Sequence, residues 1–310
     1  MIEPTAVVSF SGGKDSTATA ILAIDRYGLG RVRLVYADTG NEHELTEDYV
    51  RNYIPERLGV QVEVVRADLT QDIERKRKYV AEKWPAKGVP SEVVSRAMQV
   101  LVPTGVPFLD LCLLKGRFPS RLAQFCTQFL KRYPLEKYMF SMIDDGFKPE
   151  SWQGIRRDES RNRADAKDEE WVAEGWKVVR PIAAWTAEQV FDLLKERGVD
   201  PNPLYKLGCG RVGCMPCINA TKGEISVIAS RWPHHVDRIR EWEHLVGEAS
   251  KRGFSTFFTF KDTEMSPEEV WNVGNIDERV AWSLTGHGGK QFDLFSVDVS
   301  ECSSIYGLCE

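Results

Sequence analysis

The chain opens on a short apolar run, Ala6-Val7-Val8-Ser9-Phe10, that stops at Gly12-Gly13. Ala18, Ile21, Leu22 and Ala23 then recur on one side of a helical pattern that closes near Gly28. Val32 to Tyr36 reads as the next strand, ending at Asp38-Thr39-Gly40, and Leu45 to Leu58 as a helix stopped by Gly59. Val60 to Val65 is a third strand. The βαβαβ order implies a parallel sheet with helices on both faces. Residues 70–150 are mainly helical, broken by Pro85, Pro90, Pro103, Pro107 and Pro119. The sheet pattern returns at Ser151 to Ile155 and at Lys177 to Arg180; Thr186 then caps a helix through Glu196, with Gly198 as its stop. Beyond Pro201 glycine, cysteine and proline crowd residues 203–217, followed by a helical stretch from Val227 to Lys251 and an irregular tail. These patterns predict an α/β unit over residues 1–200 with a helical insertion at about 70–150, and a cysteine-rich region over 201–310.

Composition narrows the class. With 310 residues, 42% hydrophobic and 28% charged, the chain is an ordinary folded protein, and no apolar run is long enough to span a bilayer. Met1-Ile2-Glu3-Pro4 has neither a basic nor an apolar leader segment, so a cytoplasmic location is expected. A net charge of -5 argues against a protein coated in basic surface for duplex binding. It leaves room for local basic faces: Lys115, Arg117, Arg121, Lys131, Arg132 and Lys137, and a second group at Arg156, Arg157, Arg161 and Arg163. Such runs are commonly solvated helix faces, yet arginines near an anion site can also grip phosphate or sulfate.

The loop Ser9-Phe10-Ser11-Gly12-Gly13-Lys14-Asp15-Ser16 joins the first strand to the first helix, where backbone N–H groups and the helix dipole favour an anion. Gly12 and Gly13 let the backbone approach a phosphate, Ser11 and Ser16 offer hydroxyls, and Lys14 offers charge. The Asp15 carboxylate can help hold Mg2+. The spacing is not that of a Walker loop. Gly208-Cys209-Gly210-Arg211-Val212-Gly213 matches GxGxxG formally, but it follows Pro-Asn-Pro-Leu-Tyr rather than an apolar strand, and is rejected as a dinucleotide site.

Seven cysteines in a reducing compartment point to metal or redox work where they cluster. Cys209, Cys214 and Cys217 fall close together among small residues, and Cys126, in a basic helical segment, can be a fourth ligand. Four thiolates suit a 4Fe-4S cluster or a tetrahedral zinc. Cys112, in the apolar run Phe108 to Leu114, reads as a core residue.

The loop resembles the SGGxDS pyrophosphate loop of the N-type ATP pyrophosphatases, which cleave ATP between the α and β phosphates. Pro181-Ile182, Trp185-Thr186, Pro201 to Tyr205 and Val212 to Cys217 resemble the PAPS reductase family, as do Asp38-Thr39-Gly40-Asn41-Glu42 and Gly154 to Ser160. The resemblance implies an adenine nucleotide alpha hydrolase-like (Rossmann-like) α/β fold. It implies an adenine nucleotide, ATP with Mg2+, bound through Ser9, Ser11 to Ser16, Asp38, Thr39, Gly40 and Arg157. Lys14, Asp15 and Arg156 carry the catalytic roles, Arg156 and Arg157 contact the substrate anion, and Cys126, Cys209, Cys214 and Cys217 hold the cluster.

The departures set the subfamily. Lys14, Asp15 and Ser16 are kept as in ATP-cleaving members, one cysteine stands at 126 where adenylyl-sulfate reductases have two, and Cys209 is additional. The tail, Cys302 to Glu310, lacks the reductases' ECGLH-like segment. This layout is more similar to the iron-sulfur ATP pyrophosphatases of DNA phosphorothioation and to phage-borne relatives. The expected function is substrate adenylation for sulfur transfer, with nucleic acid as a candidate sulfur acceptor, a sulfur-donor protein as a candidate partner, and no membrane. The alternatives are a sulfonucleotide reductase using Cys302 or Cys309, and a non-catalytic nucleotide-binding subunit with structural zinc.

Overall fold

The computed structural model describes residues 3–160, 163–173, 175–258 and 265–286. Six strands form one sheet in the order β3-β2-β1-β4-β6-β5: β1 Pro4–Phe10, β2 Val32–Asp38, β3 Val62–Arg66, β4 Lys148–Trp152, β5 Glu169–Trp171 and β6 Lys177–Val179. All pairings are parallel except that of β5 with β6. The central strand β1 runs beside β2 from Ala6↔Val32 and beside β4 from Pro4↔Lys148.

Alternation along the central strands sorts their side chains onto two faces. Ala6, Val8, Phe10, Leu34 and Tyr36 pack with Ala18, Ile21, Val50 and Ile54, from helices Lys14–Tyr27 and Glu44–Leu58. Val190 and Leu194 of helix Ala187–Glu196 join them. Val7 and Val35 face the other way, onto Met139, Met142, Trp176 and Val178. Both faces are covered, which is why β1 and β2 read as nearly continuous apolar runs.

A second core lies off the sheet. Leu101, Leu111, Leu113 and Leu130 from the insertion are fully buried against Ile239 and Val246 of helix Pro233–Glu248 and Phe257 of the segment after it. Each such side chain contributes about 1.5–3 kcal/mol by leaving water. The insertion and the carboxy-terminal helices thus share one apolar interior.

Three departures from the pattern-based expectation have local causes. The helix over Glu44–Leu58 widens into a π-turn at Tyr49–Tyr53, and the helix ending at Asp144 does so at Gln128–Arg132. Each π-turn immediately precedes an X-Pro step, Ile54-Pro55 and Tyr133-Pro134. A proline ring cannot donate to the carbonyl four residues back and collides with it, so the helix loosens there. The stretch from Val227 to Lys251 is two helices, Lys222–Arg231 and Pro233–Glu248, because Pro233 begins the second as its first residue. β4 lies three residues earlier than the pattern suggests; Gln153 N still donates to the Val179 carbonyl of β6, and Gly154 after it lies against the first turn of the first helix.

Candidate functional site

The loop after β1 is built to leave backbone donors at a helix start. Gly13 precedes helix Lys14–Tyr27 in an extended conformation without a side-chain cap. Gly12 has φ +75, and a Cβ there would sit 2.8 Å from Cγ2 of Val50. Only glycine fits that turn. Ser16 Oγ donates to the Gly13 carbonyl at 2.9 Å and accepts from Ser11 N at 3.2 Å, which folds the loop back on itself. Two residues from the Pro201 to Tyr205 segment brace it: Asn202 Nδ2 donates to the Gly12 carbonyl at 3.2 Å, and Lys14 N donates to the Tyr205 hydroxyl at 3.1 Å. Gly154 lies against the first turn, where a Cβ would come within 2.7 Å of the Asp15 carbonyl.

Charge in the loop is arranged as a chain. Lys14 Nζ is 2.8 Å from Asp15 Oδ2 and lies over the Phe191 and Tyr205 rings. Arg156 Nε is 2.6 Å from Asp15 Oδ1, and its Nη1 donates to Asp158 at 2.5 Å. Arg156 is buried. Asp15 therefore carries two cations on its two oxygens, and Mg2+ would bind on their remaining lone pairs. Asp38, the other carboxylate expected to position Mg2+, is in the same condition: Arg51 and Arg66 sit 3.2 and 3.1 Å from Oδ2, and Gly40 N donates to Oδ1.

The segment after β2 joins this loop to the cysteines. Glu42 is buried and accepts from Thr39 N, Thr39 Oγ1 and Asn41 N. The Cys214 thiol donates to Glu42 Oε1 at 3.7 Å. Asn41 binds the Pro216 carbonyl through Nδ2 and accepts Met215 N on its own carbonyl at 2.7 Å. Arg238 donates to both Asn41 Oδ1 and the Met215 carbonyl. Residues 38–42 and 214–217 are thereby stitched together. A cavity of about 90 Å³ opens beside Glu42, lined among others by Ser9, Ser11, Tyr36, Lys131 and Gly213.

Lys131 is the centre of the cysteine group. The Cys214 thiolate, where it forms, would hold the Lys131 ammonium above the ordinary lysine value against the opposing effect of burial, with Glu42, Cys217 and Cys126 adding to it. Burial pushes the Cys214 thiol up to about 12, Lys131 pulling the other way, and burial also raises Cys126. Cys126, Cys214 and Cys217 thus share Lys131 as a charged neighbour. Cys209 does not: it is buried with Leu204, Met215 and Ile228, and the charges acting on it are Glu224 and Arg231. The expected set of four is three plus one.

Other expected residues also divide. Ser9, Ser11, Gly12, Gly13, Lys14, Asp15, Ser16 and Arg156 meet at the loop, and Thr39 and Gly40 stand beside the cysteine segment. Arg157 does not join them, because its guanidinium is taken by the Ala166 carbonyl and Asp168. Cys112 is fully buried in the second core. Cys302 and Cys309 lie outside the described residues. Sequence reading gave Lys131 and Glu42 no role of their own, although Lys131 stood in the basic group and Glu42 closed the family-like segment from Asp38. Tyr205 and Asn202 were visible in the Pro201 to Tyr205 motif, but nothing in it said they brace the loop.

The phosphoadenosine phosphosulfate reductase domain matches residues 5–103 and 113–220. The chain is 44% identical over 325 residues to an uncharacterized 37.8 kDa protein of Escherichia phage 186, covering 98% of this chain and 96% of that protein. It is 40% identical over 147 residues to an adenosine 5'-phosphosulfate reductase of Streptomyces coelicolor, covering 46% of this chain and 59% of that one. For the enzyme of the same name from Allochromatium vinosum the values are 32% over 117 residues, 37% and 42%. Among solved structures, the phosphoadenylyl-sulfate reductase of Candida auris aligns with a TM-score of 0.41 at 14% identity, over 69% of this chain and 83% of that one. Among the described residues, no helix is long and apolar enough to cross a membrane.

Proposed function

Because the chain belongs to the phosphoadenosine phosphosulfate reductase family, we propose that it is an ATP pyrophosphatase-type enzyme that adenylates a substrate for sulfur transfer. The observation that carries this reading is the shared cavity, which runs from the phosphate-loop residues Ser9 and Ser11 to Glu42 and Lys131 of the cysteine group. Nucleotide chemistry and sulfur chemistry would then meet in one place.

In this reading the N–H groups at the start of helix Lys14–Tyr27, with Ser11 and Ser16, cradle the pyrophosphate of ATP. An acceptor oxygen attacks the α-phosphorus, the bond to the bridging oxygen of the β-phosphate breaks, and pyrophosphate leaves with the electron pair and its Mg2+. Asp15 keeps Lys14 and Arg156 at the loop, where their charge offsets the charge developing on the leaving group. A sulfur nucleophile then displaces AMP from the adenylated acceptor. Nucleic acid is a candidate acceptor and a sulfur-carrying protein a candidate donor.

Cys126, Cys214 and Cys217 would hold a 4Fe-4S cluster, with Lys131 offsetting the thiolate charge that a bound metal imposes. Such a cluster supplies electrons or a sulfur-binding surface. Three thiolates with one further ligand also suit a tetrahedral zinc, and the iron and acid-labile sulfide content of the isolated protein separates the two.

A second reading, reduction of adenylyl sulfate to sulfite, is favoured by the names of the relatives from Streptomyces coelicolor and Allochromatium vinosum. The retained Lys14-Asp15-Ser16 charges favour a triphosphate instead. Incubation with ATP, Mg2+ and a nucleic-acid acceptor is expected to yield AMP and pyrophosphate, and Lys14→Ala to suppress both. Sulfite release from adenylyl sulfate with a thiol donor, abolished by Cys309→Ser or Cys302→Ser, would establish the reductase instead.

A further inference from the structure

We propose that His43, Glu44 and His235 form a second metal site, one that takes a borderline divalent ion such as Zn2+ through nitrogen and oxygen rather than sulfur. The site lies where helix Pro233–Glu248 crosses the start of helix Glu44–Asp48. Ligand atoms of the three residues lie within 4.8 Å of one another. Glu44 Oε2 is 3.3 Å from His235 Nε2 and 3.5 Å from His43 Nδ1. A tetrahedral zinc with bonds of about 2.0 Å places neighbouring ligand atoms about 3.3 Å apart. His234 stands at the rim, its Nε2 3.7 Å from Glu44 Oε1, in reach as a fourth ligand.

The protonation pattern points to a cation. His43 Nδ1 accepts from Leu45 N at 2.9 Å, so it bears no proton, and it faces a carboxylate oxygen that bears none. Two acceptors 3.5 Å apart repel unless a positive charge joins them; ligation would exchange the Leu45 bond for the metal. Both rings are buried, stacked at 5.0 Å, and closed in by the edge of Trp232. The second ring nitrogens, His43 Nε2 and His235 Nδ1, are on the far side of each ring and have no hydrogen-bond partner among the described residues, so they leave the Glu44 side of the two rings free for ligation. Neutral imidazole and charged carboxylate are the forms that bind zinc.

An ion here would pin helix Pro233–Glu248 to the segment after β2. Arg238, one turn beyond His235, already ties that helix to Asn41 and Met215. The site would therefore set the position of the cysteine-bearing loop without touching its sulfurs. The inference does not depend on the proposed activity.

Zn2+ binding by the full chain, measured by equilibrium dialysis and by cobalt substitution, tests it. One ion per chain is expected with visible d–d absorption and no thiolate-to-cobalt charge transfer, retained in Cys214→Ser and Cys217→Ser. Residues that only orient a ligand are worth about 10–100-fold in affinity, so Glu44→Gln and His235→Asn are expected to weaken binding at least that much. Glu44 is exposed, which keeps Glu44→Gln folded, and circular dichroism checks both variants. Zn2+ is expected to raise the thermal midpoint of the parent and of Cys214→Ser, but not of Glu44→Gln. Unchanged affinity in Glu44→Gln, or binding lost in Cys214→Ser, overturns the proposal.

Discussion

Gly154→Ala tests whether the phosphate loop is held in place from outside. The added Cβ would lie 2.7 Å from both the carbonyl carbon and oxygen of Asp15, and 2.8 Å from Ser16 N. Carbon contacts are comfortable from about 3.5 Å, so the overlap is about 0.8 Å. The atoms it meets are backbone, in the first turn of helix Lys14–Tyr27, and no side-chain rotation relieves it. The loop itself must move. Overpacking of this kind costs about 1–3 kcal/mol of stability. A shift near 1 Å at a reacting centre costs about 100-fold in rate, so ATP-dependent pyrophosphate release is expected to fall about 10- to 100-fold. The assay pairs pyrophosphate release with thermal unfolding. Gly223→Ala is the control, because no heavy atom lies within 4 Å of its Cβ position. Turnover within about twofold of the parent, with an unchanged melting temperature, would refute the claim that Gly154 positions the loop.

Three further outcomes follow from the same geometry. Arg156 forks between Asp15 and Asp158 while buried, so Arg156→Lys is not expected to replace it; urea unfolding should show a loss of about 3–5 kcal/mol for Arg156→Ala, which leaves the pair broken. Single serine substitutions at Cys126, Cys214 and Cys217 are expected to lower iron and acid-labile sulfide, whereas Cys209→Ser and Cys112→Ser leave both unchanged; loss on Cys209→Ser would restore the four-cysteine set. Burial raises Glu243 to about 7 against the two backbone N–H groups it accepts, from Phe257 and Ile276. Its native state binds the proton more tightly than the unfolded chain, so its contribution is full below the ordinary value of 4.5 and lost as pH rises through 7. Relative to Glu243→Gln, the parent is expected to lose up to about 3 kcal/mol over that window, read by urea unfolding at each pH; a constant difference would contradict it.

The sequence by itself determined what is local. The apolar runs of β1 and β2, the glycine pair between β1 and the first helix, and the Thr186 cap are decided by a few neighbouring residues. The parallel βαβ order follows from chain connectivity alone. Even the two π-turns were written in Ile54-Pro55 and Tyr133-Pro134, although the periodicity hid them. Only the tertiary structure decided which distant residues meet. Cys209 is five residues from Cys214, yet it is buried among Leu204, Met215 and Ile228, while Cys126 is brought from the insertion to Cys217 and Lys131. Adjacent arginines part in the same way, Arg156 to Asp15 and Arg157 to Asp168. His43 and His235 carry no shared signal and meet only because two helices cross. Spacing along a chain constrains contacts only within a turn or two; beyond that, burial of the apolar faces chooses the partners, and the polar side chains take the places that choice leaves.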